Sequence, residues 1–316
     1  MFAARSVALL SAVAVLISAQ PGLTQPTMPS LRLGIIPSIT AAQAYYAGQM
    51  GFFKNHGLNV DVQTMNSGAS IAAAVAGGSL DVGFADVVSI TNARERGLPF
   101  VYIAAGILNT SEFPLSGLLV RSDSAVRDAK SLDGQTIAVN AVNTFSTVAT
   151  DAWVDSNGGD SKTLKFIELP LPQMASAVVQ GTVQGAFAGE PFFTMAIARG
   201  DLRVAMFTKG GIAATYMPSG WFADAGWVQK NKAIAAQFAA AMHDAAVWAN
   251  ANRQAVAPIL VSSLKLPEAI AHGLSEPPHY GEALRVTDIQ PIIDAAVKYG
   301  AVQTPFRAQD LIASLK

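Results

Sequence analysis

The sequence predicts an α/β protein built from two similar lobes with a cleft between them. Three observations lead to this fold class: strand-like runs alternate with helix-like runs, part of that pattern occurs twice, and a long helical region follows the second copy. Strands that alternate with helices favour parallel sheets covered by helices on both faces. Two copies of such a unit therefore predict two lobes of the same design.

The repeat is visible when residues 72–97 are aligned with residues 175–200. The offset is a constant 103, and 10 of the 26 positions are identical. Alanine accounts for several of these matches, but the glycine, phenylalanine and arginine matches are harder to attribute to composition. The identical pairs are Ala72/Ala175, Ala74/Ala177, Val75/Val178, Gly78/Gly181, Phe84/Phe187, Ala85/Ala188, Thr91/Thr194, Ala93/Ala196, Arg96/Arg199 and Gly97/Gly200.

Upstream segments extend each copy to three strands and three helices. The predicted strands are residues 31–37, 58–64 and 80–85 in the first copy, and 135–140, 164–169 and 183–188 in the second. Helices are predicted at 41–56 and 147–157. Each helix ends at a glycine, which can take the left-handed conformation that closes a helix. These glycines are Gly57, Gly78, Gly97, Gly158, Gly181 and Gly200.

The pattern changes after the second copy. Residues 215–223 predict a strand that crosses back to the first lobe, and most of the remainder is helical. One helix, at 231–252, places apolar side chains on one face, and Asp288 is a candidate cap for another. These helices need a sheet to cover, so we assign them to the first lobe. The inward side chains are Ile234, Phe238, Met242, Ala245 and Trp248 in the first helix, and Ile289, Ile292, Ile293 and Ala296 in the second.

Two crossings, near 108–120 and 214–222, would form a hinge, and a hinge between two lobes makes a cleft. Further strands are predicted at 101–106 and 116–120, near the first crossing. The predicted organisation assigns residues 28–117 and 222–316 to lobe 1 and residues 118–221 to lobe 2.

Composition excludes several classes of protein. Apolar residues make up 51% of the chain and charged residues only 14%, so a large core can be buried and a disordered tail is excluded. The net charge of −1, without long runs of one sign, argues against nucleic-acid binding. The absence of cysteine removes disulfides, thiolate metal sites, cysteine nucleophiles and a lipid-anchored N-terminal cysteine. No cofactor is expected.

Residues 1–19 have the pattern of a secretory signal peptide. Arg5 precedes an apolar run at 7–17, and Ser18 and Ala19 supply small residues at its end. A membrane anchor is the alternative, but the run is shorter than the ~20 residues that span a bilayer. We therefore expect cleavage after Ala19 and, without a lipidated cysteine, export to a periplasm.

Polar side chains follow the predicted strands of both lobes. Ligands of open α/β sheets bind beyond the carboxyl ends of the strands, where helix N-termini leave N–H groups unpaired. Hydroxyl and amide side chains there could hold an anion or a polar group without a formal positive charge. Ordinary helix capping is the alternative for each of them, and packing is the alternative for Phe145. The candidate ligand-binding residues are Ser38, Thr40, Gln43, Asn66, Ser67, Gly68, Ser70, Asp86, Asn140, Asn143, Thr144, Phe145, Ser146 and Glu190.

Common catalytic motifs are absent from the sequence. It contains no GxGxxG, P-loop, HExxH or GxSxG motif, and the four histidines are scattered. His272, Glu276 and His279 are close in sequence, but two prolines separate the last two, so we expect no metal site there. A binding protein is favoured. The alternative is an exported enzyme that uses Asp86 and Glu190 as an acid/base pair.

Four segments resemble the periplasmic solute-binding proteins of the nitrate/sulfonate/taurine and thiamine-precursor transport group, the SsuA/NMT1-like family. These segments read LRLGIIPSITAAQAYYAGQMGFFKNHGLNVDVQ, NSGASIAAAVAGGSLDVGFAD, LDGQTIAVNAVNTFSTV and GTVQGAFAGEPF, in that order. The likeness spans nearly all of the chain beyond the signal segment. It implies a type II periplasmic binding protein fold: two α/β lobes joined by a two-segment hinge, with the ligand in the cleft between them.

The resemblance also implies a function. The protein would be a monomer that captures a small organic solute by closing its lobes, and would deliver it to an ABC permease in the inner membrane. Candidate solutes are anionic compounds, sulfonates, carboxylates and nitrogen-containing compounds. The predicted loops contain no lysine or arginine, which weakens a bare dianion such as sulfate. The sequence does not distinguish transport from service to a sensor kinase or chemoreceptor.

Two residues depart from the family pattern. Gln184 stands where relatives often have an aspartate, and Gly189 stands where an aromatic residue is frequent. A missing aromatic wall would leave room for a solute of different shape. The resemblance therefore does not carry over a specific substrate.

Overall fold

The computed structural model describes residues 28–65, 67–110, 116–207, 211–273 and 278–315. The predicted signal peptide, residues 1–19, lies outside these ranges. The first part of the chain forms β1 (Ser30–Ile35), α1 (Gln43–Gln49), α2 (Phe52–Asn55), β2 (Asn59–Thr64), α3 (Gly68–Ala76), β3 (Val82–Asp86), α4 (Val87–Glu95), β4 (Phe100–Ala105) and β5 (Ile107–Thr110).

The remaining elements repeat this alternation and then become mostly helical. The middle of the chain forms β6 (Ser116–Arg121), β7 (Thr136–Val139), α5 (Phe145–Ser156), β8 (Lys165–Glu168), α6 (Leu171–Val179), β9 (Gly185–Gly189), α7 (Phe192–Ala198) and β10 (Leu202–Phe207). The last part forms β11 (Thr215–Tyr216), β12 (Ser219–Asp224), α8 (Ala225–Lys230), α9 (Lys232–Ala251), α10 (Val256–Leu264), α11 (Glu268–Gly273), β13 (His279–Tyr280) and α12 (Val286–Lys298).

Two five-stranded sheets have the same strand order, which confirms the two-lobed α/β fold. The first runs β2-β1-β3-β12-β4 and the second β8-β7-β9-β6-β10. The first three strands of each order are parallel, as predicted, but β12 and β6 run antiparallel to both neighbours. The predicted parallel arrangement therefore does not extend to this strand of each sheet. Each antiparallel strand is the first one after the chain crosses from the other lobe.

The 103-residue repeat extends into these antiparallel strands. Asp86 at the end of β3 pairs with Ser219 on β12, and Gly189 at the end of β9 pairs with Ser116 on β6. Gly189 comes 103 residues after Asp86, and Ser219 comes 103 residues after Ser116, so the two pairs are equivalent within the repeat. The two lobes place equivalent strand ends, and equivalent serines, at the same edge of their sheets.

The two crossings lie side by side. β5 and β11 pair antiparallel, with Asn109 opposite Tyr216, and β13 pairs with β5. The segments that connect the lobes are thus joined by backbone hydrogen bonds, which confirms a two-segment hinge. The whole of β6 belongs to the second sheet and the whole of β12 to the first, so the sheets change over between β5 and β6 and between β11 and β12.

The C-terminal helices cover the first sheet. Phe238, Met242 and Ala245 on α9 are fully buried in the cluster that contains β1, while Ile234 and Trp248 pack at its margin. The four predicted inward residues of α12 are buried too. That helix begins at Val286, so Asp288 lies in its first turn and is not the cap.

Glycines close the helices as predicted. The six predicted helix-ending glycines have φ between +71° and +87°. A further glycine, Gly51 at φ +78°, divides the single helix predicted at 41–56 into α1 and α2. Within the described ranges, none of the helices combines the length and the apolar character needed to cross a bilayer.

Candidate ligand-binding cleft

A cavity of about 210 Å³ lies between the two lobes, at the carboxyl ends of β1, β3, β7 and β9. This is the edge at which open α/β sheets bind ligands. Ten of the fourteen candidate residues line it: Ser38, Thr40, Ser67, Gly68, Asp86, Asn140, Thr144, Phe145, Ser146 and Glu190. Candidate residues predicted in different lobes therefore meet at one cavity.

Gln43 does not line the cavity. Its side chain is fully buried, Nε2 donates to the carbonyl of Met242 at 2.7 Å, and Oε1 accepts from the indole N–H of Trp221 at 2.8 Å. Both polar ends of the amide are thus satisfied inside the first lobe. The structure corrects the sequence interpretation here, because Gln43 joins α1 to α9 and β12 instead of facing the cleft.

Of the other three candidates, Ser70 and Asn143 also stand apart from the cavity lining. Asn66 lies outside the described residues. Ser70 is tied to the start of α3, since its amide donates to Ser67 Oγ at 3.1 Å and its hydroxyl donates to the Ser67 carbonyl at 2.7 Å. Asn143 is exposed with φ +55°, and its carbonyl accepts from Nδ2 of Asn92 at 3.1 Å. That last bond joins the two lobes beside the cavity.

Asp86 connects the N-termini of two helices from different lobes. It is the N-cap of α4, where Oδ1 accepts from the amide of Ser89 at 3.0 Å and Oδ2 from the Ser89 hydroxyl at 2.5 Å. Oδ1 also accepts from the amide of Phe145, the first residue of α5, at 3.1 Å. One carboxyl group therefore accepts hydrogen bonds from the first turn of a helix in each lobe.

Glu190 is the other acidic group of the cavity. It follows β9, its Oε1 accepts from the Thr194 hydroxyl at 2.6 Å, and its Oε2 accepts from the Thr194 amide at 3.1 Å. Its backbone carbonyl accepts from the amide of Ile39, in the first lobe, at 3.4 Å. Hydrogen bonds beside Asp86 and Glu190 thus join the two lobes at the cavity.

Burial raises the pKa of both carboxyl groups. For Asp86, hydrogen bonds from Ser89 and Phe145 partly offset that rise, and for Glu190 the bonds from Thr194 do so. No lysine, arginine or histidine is among the described residues that line the cavity. The described part of the chain also holds no group of three or more histidine, aspartate and glutamate residues suited to a metal ion.

The apolar part of the cavity is aromatic. Phe84, Phe187 and Phe192 line it together with Phe145, whose ring centroid lies 6.1 Å from that of Phe187. Phe145 thus packs and also faces the cavity. The sequence interpretation named Phe145 but inferred a missing aromatic wall from Gly189, and it missed the other three rings. The identity of Phe84 and Phe187 within the repeat was the signal that could have found two of them.

The sequence reasoning also missed polar lining residues. Ser116 and Ser219 occupy equivalent positions on β6 and β12, opposite Gly189 and Asp86, and Asn109 reaches the cavity from the hinge strand β5. The signal for the serines was a Ser-Gly dipeptide that recurs at the offset of 103. Asn109 carries no such signal, because the short pairing of β5 with β11 places it.

Comparisons with known proteins show the same architecture. The chain superposes on the periplasmic aliphatic sulphonate-binding protein SsuA of Escherichia coli with a TM-score of 0.72 and 17% identity, covering 90% of this chain and 97% of that one. The nitrate-binding protein NrtA of Synechocystis PCC 6803 gives 0.73 and 17%, covering 89% and 84%. The desulfurization enzyme DSZB gives 0.64 and 14%, covering 90% and 96%.

These identities establish a shared fold, not a shared ligand. No curated protein sequence matches the chain. A model of the NMT1/THI5-like family matches residues 38–255. This range includes the repeated segments 72–97 and 175–200, and with them β3 and β9, which end at the cavity with Asp86 and Gly189. Because that match covers well over half of its length, the chain belongs to the NMT1/THI5-like family.

Proposed function

We propose that this protein is the solute-binding component of an ABC importer and captures a small organic solute by closure of its two lobes. The observation that carries the proposal is the cavity itself, which residues of both lobes line at the carboxyl ends of both sheets. A binding site divided in this way is completed only when the lobes meet. The paired hinge strands β5 and β11 provide the axis for that motion.

The proposed setting is a periplasm, with an inner-membrane permease as the partner and a monomer as the working form. Support comes from the family, from the fold shared with the sulphonate- and nitrate-binding proteins, and from the signal-like pattern of residues 1–19. We further propose that the lobes divide close to the predicted boundaries, at the hinge segments between β5 and β6 and between β11 and β12.

An exported enzyme is the second candidate, because Asp86 and Glu190 line one cavity and burial raises the pKa of both carboxyl groups. Such groups can act as acid and base near neutral pH. We favour binding, because Asp86 holds two helix N-termini and is thereby fixed as a structural acceptor. The desulfurization enzyme of the same fold makes turnover worth measuring directly.

The test is to purify the exported protein gently, identify by mass spectrometry any small molecule that co-purifies, and add that molecule back to ligand-free protein. At a concentration of 100 times Kd, a ligand stabilises the folded state by about 2.7 kcal/mol, so the melting temperature should rise. The compound should be recovered unchanged after prolonged incubation. Conversion that is lost in both Asp86→Asn and Glu190→Gln would establish the enzyme instead.

A further inference from the structure

The cavity presents two acidic side chains, and no basic residue is among its described lining. Asp86 comes from the first lobe and Glu190 from the second, so closure brings both carboxyl groups to the same enclosed space. An anion in that space would meet like charges in a poorly solvated environment, where electrostatic repulsion is strong. The charge distribution therefore favours a ligand with a positive group.

At three helix N-termini beside the cavity, one backbone amide already donates to an oxygen of the protein. The amide of Ser89 in α4 and the amide of Phe145 in α5 both donate to Oδ1 of Asp86. In α3, the amide of Ser70 donates to the hydroxyl oxygen of Ser67. Helix N-termini commonly bind a ligand anion through such amides. Here protein oxygens already accept from one such amide at each of the three helices, so fewer amides remain for a ligand anion than the sequence predicts.

The two carboxylates retain acceptor capacity. A carboxylate offers about four lone-pair sites. The described hydrogen bonds occupy three on Asp86 and two on Glu190, which leaves about one site on the first and two on the second. A primary ammonium group has three N–H donors and no acceptor, so its demand matches what the two carboxylates still offer.

The remaining surface of the cavity suits a small apolar framework. The rings of Phe84, Phe187 and Phe192 line it, and aromatic faces attract a nearby cation as well as apolar groups. The cavity volume of about 210 Å³ limits the ligand to a small molecule.

From these observations we propose that the solute is a small primary amine, bound as the ammonium ion between Asp86 and Glu190 with its apolar part against the phenylalanine rings. This inference rests on the proposed solute-binding function and names its substrate class. It separates this chain from its structural neighbours, the sulphonate-binding and nitrate-binding proteins.

The test compares the binding of an amine, an alcohol and a sulfonate on each of two carbon skeletons at pH 7.5. Benzylamine, benzyl alcohol and phenylmethanesulfonate form one set, and butylamine, 1-butanol and butanesulfonate the other. Titration calorimetry on the mature, ligand-free protein should show at least one amine binding tenfold or more tightly than its alcohol, with the matching sulfonate weaker still. The inference is overturned if a sulfonate binds more tightly than the amine on the same skeleton, or if neither amine binds.

Two variants locate the recognition. Glu190→Gln keeps the shape of the side chain but removes its charge, and should weaken amine binding at least tenfold while leaving alcohol binding within twofold. Asp224→Asn is the matched control, because Asp224 caps α8 through the amide of Trp227 at 3.0 Å and does not line the cavity. It should leave amine binding unchanged. Equal effects of the two variants would overturn the inference.

The pH dependence gives an independent readout. Asp86 and Glu190 are the titratable groups of the described lining, and both must be ionised to hold an ammonium ion. Amine affinity should therefore rise between pH 5 and pH 7.5, whereas affinity for an anion should fall. A falling amine affinity would contradict the inference. Failure of the proposed function would look different: the co-purified compound would be converted, or no compound of any charge would stabilise the protein.

Discussion

The two lobes share one plan, and they differ in the residues that charge the cleft. Equivalent positions of the repeat supply Phe84 and Phe187 on the strands that end at the cavity. The acidic residues are not equivalent: Asp86 is the last residue of β3, whereas Glu190 follows the end of β9, and Gly189 stands where Asp86 would recur. The repeat thus builds the frame of the site. Its departures from symmetry supply the chemistry.

The lobes also differ in how much they bury. The first lobe contains the fully buried Trp221 and the long helix α9, while the smaller clusters of the second lobe lie on either side of its sheet. The larger buried core of the first lobe therefore offers the greater loss of stability on truncation.

Truncation of the first-lobe core should have the largest effect. Trp221→Ala removes a fully buried ring and its hydrogen bond to Gln43, and should lower the free energy of unfolding by about 3–5 kcal/mol. Urea denaturation measures it. Val247→Ala, at an exposed position of α9, is the control and should stay within about 0.5 kcal/mol of wild type. Similar losses in the two variants would contradict the assigned core.

Two equivalent glycines should respond unequally. A Cβ at Gly117 would overlap the backbone carbonyl oxygen of Met206, whereas a Cβ at Gly220 would meet side-chain atoms of Met217 and Tyr102 at 3.0 Å. Side chains can adjust more readily than a paired strand. Gly117→Ala should therefore destabilise the protein toward the upper end of about 1–3 kcal/mol, and Gly220→Ala by less. The denaturant midpoints of the two variants show which substitution is the more destabilising, and a lower midpoint for Gly220→Ala would contradict the prediction.

Asparagine substitutions at two aspartates one turn apart on α5 should change the melting temperature in opposite directions. Burial and the nearby Asp155 raise the pKa of Asp151 to about 7, and its Oδ1 has no hydrogen-bond partner among the described residues. The pKa of Asp155 is lowered, because the hydrogen bond from the Ser161 amide and the charge of Lys298 outweigh the effect of burial.

A carboxyl group whose pKa is raised by folding destabilises the protein as pH increases from its usual pKa to the folded one. For Asp151 this window runs from about 4 to about 7. Asp151→Asn should thus raise the melting temperature at pH 8 by a few degrees, and the gain should vanish near pH 4. Asp155→Asn should lower it at pH 8. The same sign for both at pH 8 would contradict the prediction.

Removal of one inter-lobe hydrogen bond should have the smallest effect. Asn92→Ala deletes the bond to the Asn143 carbonyl and should cost the closed state about 0.5–1 kcal/mol, which corresponds to a loss of about two- to fivefold in ligand affinity. Unfolding of the ligand-free protein should hardly change, because the bond is made between lobes. A large loss of stability without ligand would show that Asn92 serves the first lobe alone.

Much of the fold could be predicted because the repeat and its glycines are local signals. A glycine at each helix end and an apolar run after it indicate the element whatever surrounds it. A strand was predicted at 215–223, but its division into β11 and β12, the antiparallel direction of β12 and the short strands β5 and β13 could not be found in this way. Their partners lie in distant parts of the chain, and pairings of two residues leave almost no pattern.

The site was predictable in position and less so in detail. Ten residues predicted from their position after the strands do line the cavity. Gln43 does not, because its side-chain amide hydrogen-bonds to Trp221 and to the carbonyl of Met242 inside the core. The expectation of an anion seat depended on unpaired helix amides. Whether Asp86 would reach the amide of Phe145 depends on how the lobes meet, and no local pattern encodes that distance.

The most direct test of the central claim is an inter-lobe distance measured with and without ligand. The chain has no cysteine, so Asp61→Cys on β2 and Lys165→Cys on β8, both exposed, can carry spin labels without background. Pulsed electron resonance should show a broad distance distribution in the ligand-free protein. Addition of the co-purified solute should shorten and narrow it. A distribution that solute leaves unchanged, in a sample in which calorimetry shows binding, would contradict capture by lobe closure.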